Sequence, residues 1–195
     1  MGNPVEPAKL RTLRLLLRTW RPQDRAPFAA LNADPQVMAH FPNPLSRAES
    51  DLMVDRMEAQ LRLQRWGLWA VEITDTGEFA GFVGLNRPSF TARFTPAVEV
   101  GWRLAHRHWH HGYASEAARA ALDYGFESLH LDEIVSFTST SNLRSQHVME
   151  RLGMHRDPAD DFDHPRLPPD HRLSRQVLYR LSSSTWSARS APDRS

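Results

Sequence analysis

The segment Trp109-His110-His111-Gly112-Tyr113-Ala114 has residue types and spacing that suit anion binding. It lies between a predicted strand, Val98 to Leu104, and a predicted helix that opens at Gly112. The N-terminus of a helix carries backbone N–H groups without intrahelical acceptors and the positive end of the helix dipole, so it binds phosphate groups. Gly112 would let a ligand approach the backbone. The segment therefore predicts a phosphate-binding turn, with an ordinary strand-to-helix turn as the alternative.

Two other groups of side chains could bind or react. Four histidines cluster at the segment: His106, His108, His110 and His111. No carboxylate or further histidine follows them at helical ligand spacing, so we expect no metal. The loop Asp160 to Pro165 is acidic and aromatic. It could attract a cationic amine, with His164 as an acid or base, or it could be a solvated connector.

The elements before the segment begin with a strand over Leu13 to Trp20 and continue with helices. The longest helix follows a capping box at Ser46-Arg47-Ala48-Glu49. Its predicted apolar face consists of Leu52, Met53, Met57, Leu61 and Leu63. Three strands then form an antiparallel meander, predicted over Leu68 to Thr74, Glu78 to Asn86 and Val98 to Leu104.

After the helix at Gly112, the pattern alternates again. A strand is predicted over Ile134 to Thr138, a helix over Asn142 to Leu152 and a last strand over Gln176 to Leu181, with a long proline-rich loop over Asp157 to Arg172. The order of elements predicts an α/β fold with a mixed sheet and helices on both faces.

Length and composition restrict the class of protein. The 195 residues, 41% of them hydrophobic, suit one domain. We predict that domain over residues 10–181, between a flexible N-terminus over 1–9 and a disordered tail over 182–195. The net charge of +1 gives no strong field toward nucleic acid or membranes, and we expect neither as the main partner. The absence of cysteine excludes disulfides and cysteine nucleophiles.

No stretch of the sequence approaches the roughly 20 apolar residues that span a bilayer. Residues 1–10 also lack an apolar run of the signal-peptide type. We therefore expect a cytoplasmic protein.

The segment resembles the pyrophosphate loop of the GNAT N-acetyltransferase superfamily, whose pattern is Gln/Arg-x-x-Gly-x-Gly/Ala. Gly112 and Ala114 match this pattern, whereas Trp109 stands where Gln or Arg is usual. An aromatic residue at that position resembles the branch that contains the N-terminal acetyltransferases RimJ and RimL.

Two more blocks are similar to that branch. Val98-Glu99-Val100-Gly101-Trp102 looks like its Glu-Ile-Gly-Tyr strand, and Asn142-Leu143-Arg144-Ser145, with Leu152-Gly153-Met154, looks like its Asn-x-x-Ser helix ending in Leu-Gly-Phe. The three blocks come in the family's order, and the resemblance covers about Leu13 to Leu181. It implies a GNAT-like fold with a central, mostly antiparallel sheet and helices on both faces.

The resemblance also implies the residues that bind acetyl-CoA, the acyl donor. Pantetheine would lie along the strand before the loop, and the backbone N–H groups of Val100 and Gly101 would stabilise the oxyanion. The implied cofactor-binding residues are Val100, Gly101, Trp102, Arg107, Trp109, His110, His111, Gly112, Tyr113, Ala114, Asn142 and Ser145.

Glu99 is the candidate general base, acting through a water. It alternates out of phase with its strand neighbours and so points to the opposite face. The alternative is a structural carboxylate that pairs with an arginine such as Arg87 or Arg103. Many relatives protonate the CoA thiolate with a tyrosine, whose position here is taken by Met149. Ser145 is the substitute donor, although Asn142 could be a helix cap and Ser145 a first-turn hydroxyl.

The resulting hypothesis is an acetyl-CoA-dependent N-acetyltransferase without a metal. It would transfer acetyl to a primary amine, on a protein N-terminus or a small molecule, by direct attack on the thioester. The alternative is a non-catalytic acyl-CoA-binding or regulatory module on the same fold. A homodimer is compatible with the sequence.

Overall fold

The computed structural model describes residues 7–190 of the chain. The chain forms two compact units, one of Met1–Leu85 with Gly101–Ala121 and the other of Asn86–Val100 with Leu122–Ser195. Residues 1–6 and 191–195, which belong to the predicted flexible termini, lie outside the described residues.

The first unit consists of a sheet and helices. Its elements are β1 (Leu10–Arg11), β2 (Leu15–Arg18), α1 (Arg25–Ala33), α2 (Pro35–Met38), α3 (Arg47–Gln64), β3 (Leu68–Ile73), β4 (Phe79–Asn86), the end of β5 (Glu99–Leu104) and most of α4 (Tyr113–Asp123). The strand order is β1-β2-β3-β4-β5. The pairs β1–β2, β2–β3 and β3–β4 are antiparallel. Leu15, Leu17, Phe28, Leu61 and Trp69 are fully buried and form the centre of this unit's core.

Helix α3 begins where the sequence predicts. The Oγ of Ser46 accepts a hydrogen bond from the Glu49 N–H at 3.3 Å, and the Glu49 carboxylate accepts one from the Ser46 N–H at 2.8 Å, so the capping box is confirmed. The predicted apolar face is partly wrong, because Leu52 and Leu63 are 54% and 83% exposed. The buried face instead consists of Ser50, Val54, Met57 and Leu61.

The second unit begins at Asn86 with the loop that leads to Glu99 and Val100 of β5. It continues with a π-helical turn (Tyr124–Ser128), β6 (Glu133–Ser139), α5 (Leu143–Arg151), β7 (His155–Arg156), β8 (Phe162–Asp163), β9 (Arg175–Ser182) and α6 (Ser183–Ser190). The strand order is β5-β6-β9-β7, and β8 also pairs with β9. β5 and β6 are parallel, whereas β6, β7 and β8 are antiparallel to β9. The predicted α/β class with a mixed, mostly antiparallel sheet is confirmed.

The described parts of both termini are more ordered than the sequence predicts. Ser183–Ser190 form helix α6, contrary to the disordered tail predicted from residue 182. Trp186 is the physical reason: it is 5% exposed, and its Nε1 donates to the Asp123 carboxylate at 2.9 Å. One buried tryptophan supplies apolar contact that the polar composition of the tail conceals. At the other end, the Ala8 carbonyl accepts from Trp69 Nε1 at 2.8 Å. The predicted boundaries of the domain at 10 and 181 stay a prediction.

Candidate active site

The turn that follows β5 is held by its own side chains. Residues His106–His108 form a 3-10 turn, and Nε1 of Trp109 donates to the Leu104 carbonyl at 2.9 Å. The His106 ring packs edge-on against Trp109 with their centroids 4.6 Å apart. His110 and Gly112 have positive φ angles of 65° and 80°. Two residues with left-handed backbone conformation therefore shape the turn before α4 begins.

The start of α4 leaves backbone donors without acceptors inside the helix. The first intrahelical hydrogen bond runs from the Glu116 N–H to the Gly112 carbonyl at 3.0 Å. The N–H groups of Tyr113, Ala114 and Ser115 precede it, and helices provide no partners for such groups. A Cβ added at Gly112 would meet Arg14 Nη2 at 3.5 Å, which is ordinary contact. Gly112 is exposed, and the N–H groups beside it suit a phosphate group.

Glu116 fastens this helix N-terminus to the turn between β1 and β2. Its carboxylate accepts hydrogen bonds from Thr12 Oγ1 at 2.6 Å, the Arg14 N–H at 2.9 Å and Arg14 Nε at 2.7 Å. The Arg14 guanidinium also lies over the Tyr113 ring, 4.8 Å from its centroid. Burial by itself would raise the pKa of Glu116, but the hydrogen bonds from Thr12 and Arg14 hold it below the ordinary value.

The four histidines do not converge on one point. His106 packs on Trp109, and the His111 ring stacks on Tyr113 at 5.4 Å. His108 is buried; burial, together with the neighbouring Arg107, lowers the pKa of its imidazole. Within residues 7–190, no group of three His, Cys, Asp or Glu side chains is placed to hold a metal ion.

In the second unit, Glu99 lies where β5 pairs with β6. The parallel ladder has one residue pair in register, Glu99 with Val135, and the Val135 N–H donates to the Val98 carbonyl at 2.9 Å. One residue further, the Val100 carbonyl accepts from the Ser136 hydroxyl at 2.9 Å. The Ser136 side chain thus provides a hydrogen bond to the Val100 carbonyl. Ser136 was not predicted from the sequence, where it is simply a small polar residue in a strand.

Among residues 7–190, the Glu99 carboxyl has no hydrogen-bond or ion-pair partner, although part of the side chain remains accessible. The choice between a general base and a structural carboxylate stays a prediction. Burial raises the pKa of Glu99 to about 8. A carboxyl of this pKa exchanges its proton near neutral pH, which suits a general acid or base.

Arg103, which the sequence offered as a partner of Glu99, has other neighbours. Its Nη1 donates to Asn32 Oδ1 at 2.6 Å, and its guanidinium lies over the Phe41 ring, 3.9 Å from the centroid. Its Nε has no hydrogen-bond partner in the described part of the chain. Burial lowers the pKa of Arg103 to about 10. Neutral groups thus surround this buried cation.

Asn142 and Ser145 lie together at the start of α5. Oδ1 of Asn142 accepts from the Ser145 N–H at 3.3 Å, and Nδ2 donates to Thr138 Oγ1 at 2.9 Å and to Ser145 Oγ at 3.1 Å. Asn142 is therefore a helix cap, as one of the two alternatives held. The Ser145 hydroxyl accepts one of these bonds and keeps its proton for another acceptor. Met149 is 1% exposed and belongs to the core.

The predicted residues thus form two groups. In the first unit, Gly101 and Trp102 lie on β5, and Arg107, Trp109, His110, His111, Gly112, Tyr113 and Ala114 form the turn and the start of α4. In the second unit, Glu99 and Val100 lie on β5, and Asn142 and Ser145 lie at α5.

The similarity of this chain to known proteins agrees with the site described above. The sequence profile described as "Acetyltransferase (GNAT) domain" matches residues 14–155. YkkB of Bacillus subtilis is 34% identical over 148 residues, which are 75% of this chain and 85% of that protein. The chain belongs to the GNAT acetyltransferase family.

The name of a second relative states an activity. The FsC-acetyl coenzyme A-N(2)-transacetylase of Aspergillus fumigatus is 30% identical over 187 residues, 91% of this GNAT chain and 77% of that protein. The chain is accordingly an N-acetyltransferase, and the alternative of a non-catalytic module is set aside. Its family uses acetyl-CoA as acyl donor.

Solved structures share the fold. A GNAT acetyltransferase of Bacillus anthracis has a TM-score of 0.75 at 22% identity, covering 91% of this chain and 99% of that one. Mycobacterium smegmatis RimJ, solved with CoA-disulfide, has a TM-score of 0.72 at 19% identity, covering 91% and 88%. The resemblance to RimJ thus extends to the fold. Among residues 7–190, no helix has the length and apolar character needed to cross a bilayer.

Proposed function

We propose that this GNAT enzyme transfers the acetyl group of acetyl-CoA to a primary amine by direct attack of the amine, with Glu99 as the general base. The observation that carries the proposal is the partnerless Glu99 carboxyl, whose pKa burial raises to about 8. When bound, acetyl-CoA supplies the activated acetyl group. The new C–N bond replaces the C–S bond, so the products are an N-acetyl amine and the free thiol of CoA.

The turn after β5 would hold the phosphates of the acyl donor. Its open backbone at Gly112 and the N–H groups of Tyr113, Ala114 and Ser115 are suitable anion donors. Arg107, His110 and His111 are exposed beside them and would add positive charge. Trp109 would act indirectly, because its indole N–H is already used to hold the turn.

Glu99 would remove the proton that the amine must lose before it can attack. An amine in water is mostly protonated at neutral pH, and a carboxylate with a pKa near that of its task is an efficient acceptor. The parallel pair with Val135 fixes the backbone of Glu99, and the accessible part of the side chain leaves room for a water between base and amine.

Two further groups would complete the reaction. The backbone N–H of Gly101 would donate to the carbonyl oxygen as it gains negative charge. The Val100 N–H, the other candidate, faces the Val135 carbonyl in the parallel pair of Glu99 with Val135. Ser145 would donate its hydroxyl proton to the leaving thiolate, since its own oxygen already accepts a bond from Asn142. Met149 cannot take this role because its thioether has no proton to donate.

Relatives support an amine acceptor of either predicted kind. One relative is named "FsC-acetyl coenzyme A-N(2)-transacetylase", and one structural neighbour from Vibrio cholerae, 18% identical, has "ribosomal-protein-serine acetyltransferase" in its title. We therefore propose a small-molecule amine or a protein N-terminus as acceptor. The test is a panel of both kinds of amine, with acetyl-CoA, in which release of the CoA thiol and the mass of the product are measured. Thiol release without an acetylated amine, or no release with any amine, would contradict the proposal.

A further inference from the structure

Four phenylalanine side chains meet at the surface of the second unit. Phe90 and Phe94 come from the loop between β4 and β5, Phe137 from β6 and Phe162 from β8. Their ring centroids lie 4.9 Å apart for Phe94 and Phe162, 5.5 Å for Phe137 and Phe162, and 5.7 Å for Phe90 and Phe137. We call these four residues the aromatic cluster. Each of them is only half-buried.

The first unit contains an aromatic group of a different kind. Trp20, Phe28, Phe79 and Phe82 also contact one another, but they are 4%, 0%, 7% and 6% exposed and form part of the core. Aromatic side chains that serve packing alone are buried in this way. A set that meets at the surface and stays half-exposed is typical of a binding site for an apolar group.

A cavity of about 210 Å³ adjoins the cluster. Phe94, Phe162, Pro165 and Leu178 provide its apolar walls, and Thr91 and Arg180 are among its polar ones. Sites that take whole small molecules usually measure about 300–1,000 Å³. This cavity is smaller, so it suits one apolar group of a larger molecule.

The aspartates around the cavity are already paired with arginines. Asp160 accepts from Arg180 Nε at 2.6 Å, and Asp163 lies 3.4 Å from Arg175 Nη1. Asp161 pairs with Arg156. The loop that the sequence offered as a trap for a cationic amine therefore has no uncompensated aspartate. Attraction of a cation is therefore not what this pocket provides.

His164 packs on the aromatic cluster and adds no charge beside it. Its ring lies 4.8 Å from Phe90, and its Nδ1 accepts from the Arg166 N–H at 3.2 Å. Burial, together with the positive charge of Arg166, lowers the pKa of His164. The imidazole is therefore neutral at neutral pH, which removes it as a cationic group in this pocket.

The cluster and Glu99 lie on the same face of the sheet in this unit. Glu99 is in register with Val135, and paired residues of neighbouring strands point to the same face. Phe137 follows Val135 by two residues, so it lies on that face about 7 Å further along β6. Leu178 is in register with Phe137 and continues the face to the cavity.

We propose that the aromatic cluster and its cavity bind an apolar group, aromatic or aliphatic, carried by the amine acceptor. The substrate class is then an amine whose nitrogen is joined through a short chain to an apolar group, such as a peptide that begins with a large apolar residue. The assignment rests on the proposed function, since Glu99 defines which face receives the amine.

The test compares matched acceptors in wild-type enzyme and in Phe94→Ala. The pairs are 3-phenylpropylamine with propylamine, and two peptides that differ only in an N-terminal Phe or Ser. We expect wild-type enzyme to prefer the apolar member in kcat/KM by about 10- to 200-fold. Phe94→Ala should lose most of this ratio while it keeps the rate with the polar member, and Phe94→Leu should keep part of it. Phe162→Ala is the second variant, should Phe94→Ala fold poorly.

Leu63→Ala is the control, because Leu63 is an exposed apolar residue on α3 and its loss should leave the ratio unchanged. Turnover without preference, or a preference that survives in both Phe→Ala variants, would overturn the inference and leave the proposed function intact. If the variants instead change the oligomeric state in light scattering at equal preference, the cluster is an interface between copies and the inference is wrong. Absence of turnover with every amine would refute both proposals together.

Discussion

Glu116 in the first unit and Glu99 in the second are two glutamates in opposite surroundings. Glu116 accepts three hydrogen bonds from Thr12 and Arg14, and these hold its pKa below the ordinary value although burial acts against them. Glu99 has no partner among the described residues, and burial alone raises its pKa to about 8. Burial removes water from both carboxyls. At Glu116, hydrogen bonds from the protein replace those from water, whereas no described residue replaces them at Glu99.

The difference separates a residue that positions a site from one suited to chemistry. A carboxylate whose oxygens are all occupied stays ionised and holds its neighbours in place, here the start of α4. A carboxyl without partners can change its protonation state near neutral pH at little cost. Desolvation of a carboxyl therefore indicates reactivity where the protein leaves the hydrogen bonds unmade.

The strongest test of the comparison is Glu99→Gln. General-base catalysis contributes about 10²- to 10⁴-fold, so we expect kcat to fall by about that factor. CoA affinity, measured by calorimetry, should stay unchanged because the amide keeps the shape of the side chain. Glu127→Gln, at an exposed position, is the matched control and should retain full turnover. Equal activity of both variants would remove Glu99 from the mechanism.

Glu116→Gln should act on stability instead. Hydrogen bonds to a charged group contribute about 1.5–3 kcal/mol each, and the Gln side chain can still accept some of them. We expect the free energy of unfolding to fall by about 1–3 kcal/mol in urea titrations. CoA should bind more weakly while kcat at saturation changes little. A loss of kcat as large as that of Glu99→Gln would erase the distinction between the two residues.

The two residues should also give opposite dependences of stability on pH. Between pH about 4.5 and about 8, the native state holds the Glu99 proton that the unfolded state releases, so the contribution of Glu99 to stability falls as the pH rises through this window. The stability of Glu99→Gln should therefore increase relative to that of wild type as the pH rises to about 8. Above that pH the difference in stability should stay constant. The stabilisation by Glu116 is present above its ordinary pKa and is lost as the pH falls through its lowered one. Thermal unfolding of both variants between pH 3 and 9 measures this, and parallel curves would contradict it.

The smallest expected effect is that of Ser145→Ala. One hydroxyl that donates a proton or a hydrogen bond is worth about 0.5–1.5 kcal/mol, so kcat should fall by no more than about tenfold. Thr138→Ser, which keeps the hydrogen bond to Asn142, serves as the control at the same helix start. If Ser145→Ala lowers stability and leaves kcat unaltered, Ser145 is a first-turn hydroxyl of α5 and nothing more.

Much of the fold could be predicted because its signals are local. Strands β3, β4 and β5 begin and end within one residue of their predicted limits, and the caps at Ser46 and Asn142 were correctly identified. The turn at Gly112 has the positive φ that its glycine suggested.

What could not be predicted depends on distant partners. Ser50 is fully buried because its hydroxyl accepts from Asn32 at 3.1 Å, which no hydrophobic pattern reveals. The aromatic cluster brings together residues 90 and 162, and only the folded loops show that they meet. Likewise, the pairing of Asp160, Asp161 and Asp163 with arginines could not be predicted from the sequence, which left the loop as either a cation-attracting segment or a solvated connector.

The bond between Arg14 and Glu116 has a consequence for the order of assembly. These residues are 102 positions apart, so the hydrogen bond that fixes the start of α4 closes a very long loop. Contacts between distant positions are formed late and slowly, because the chain must lose loop entropy before it gains the contact. During synthesis, Arg14 must wait until Glu116 has emerged before this bond can form. The turn before α4 is thus among the last parts of its unit to mature, and on the proposed function the chain would bind CoA only after that.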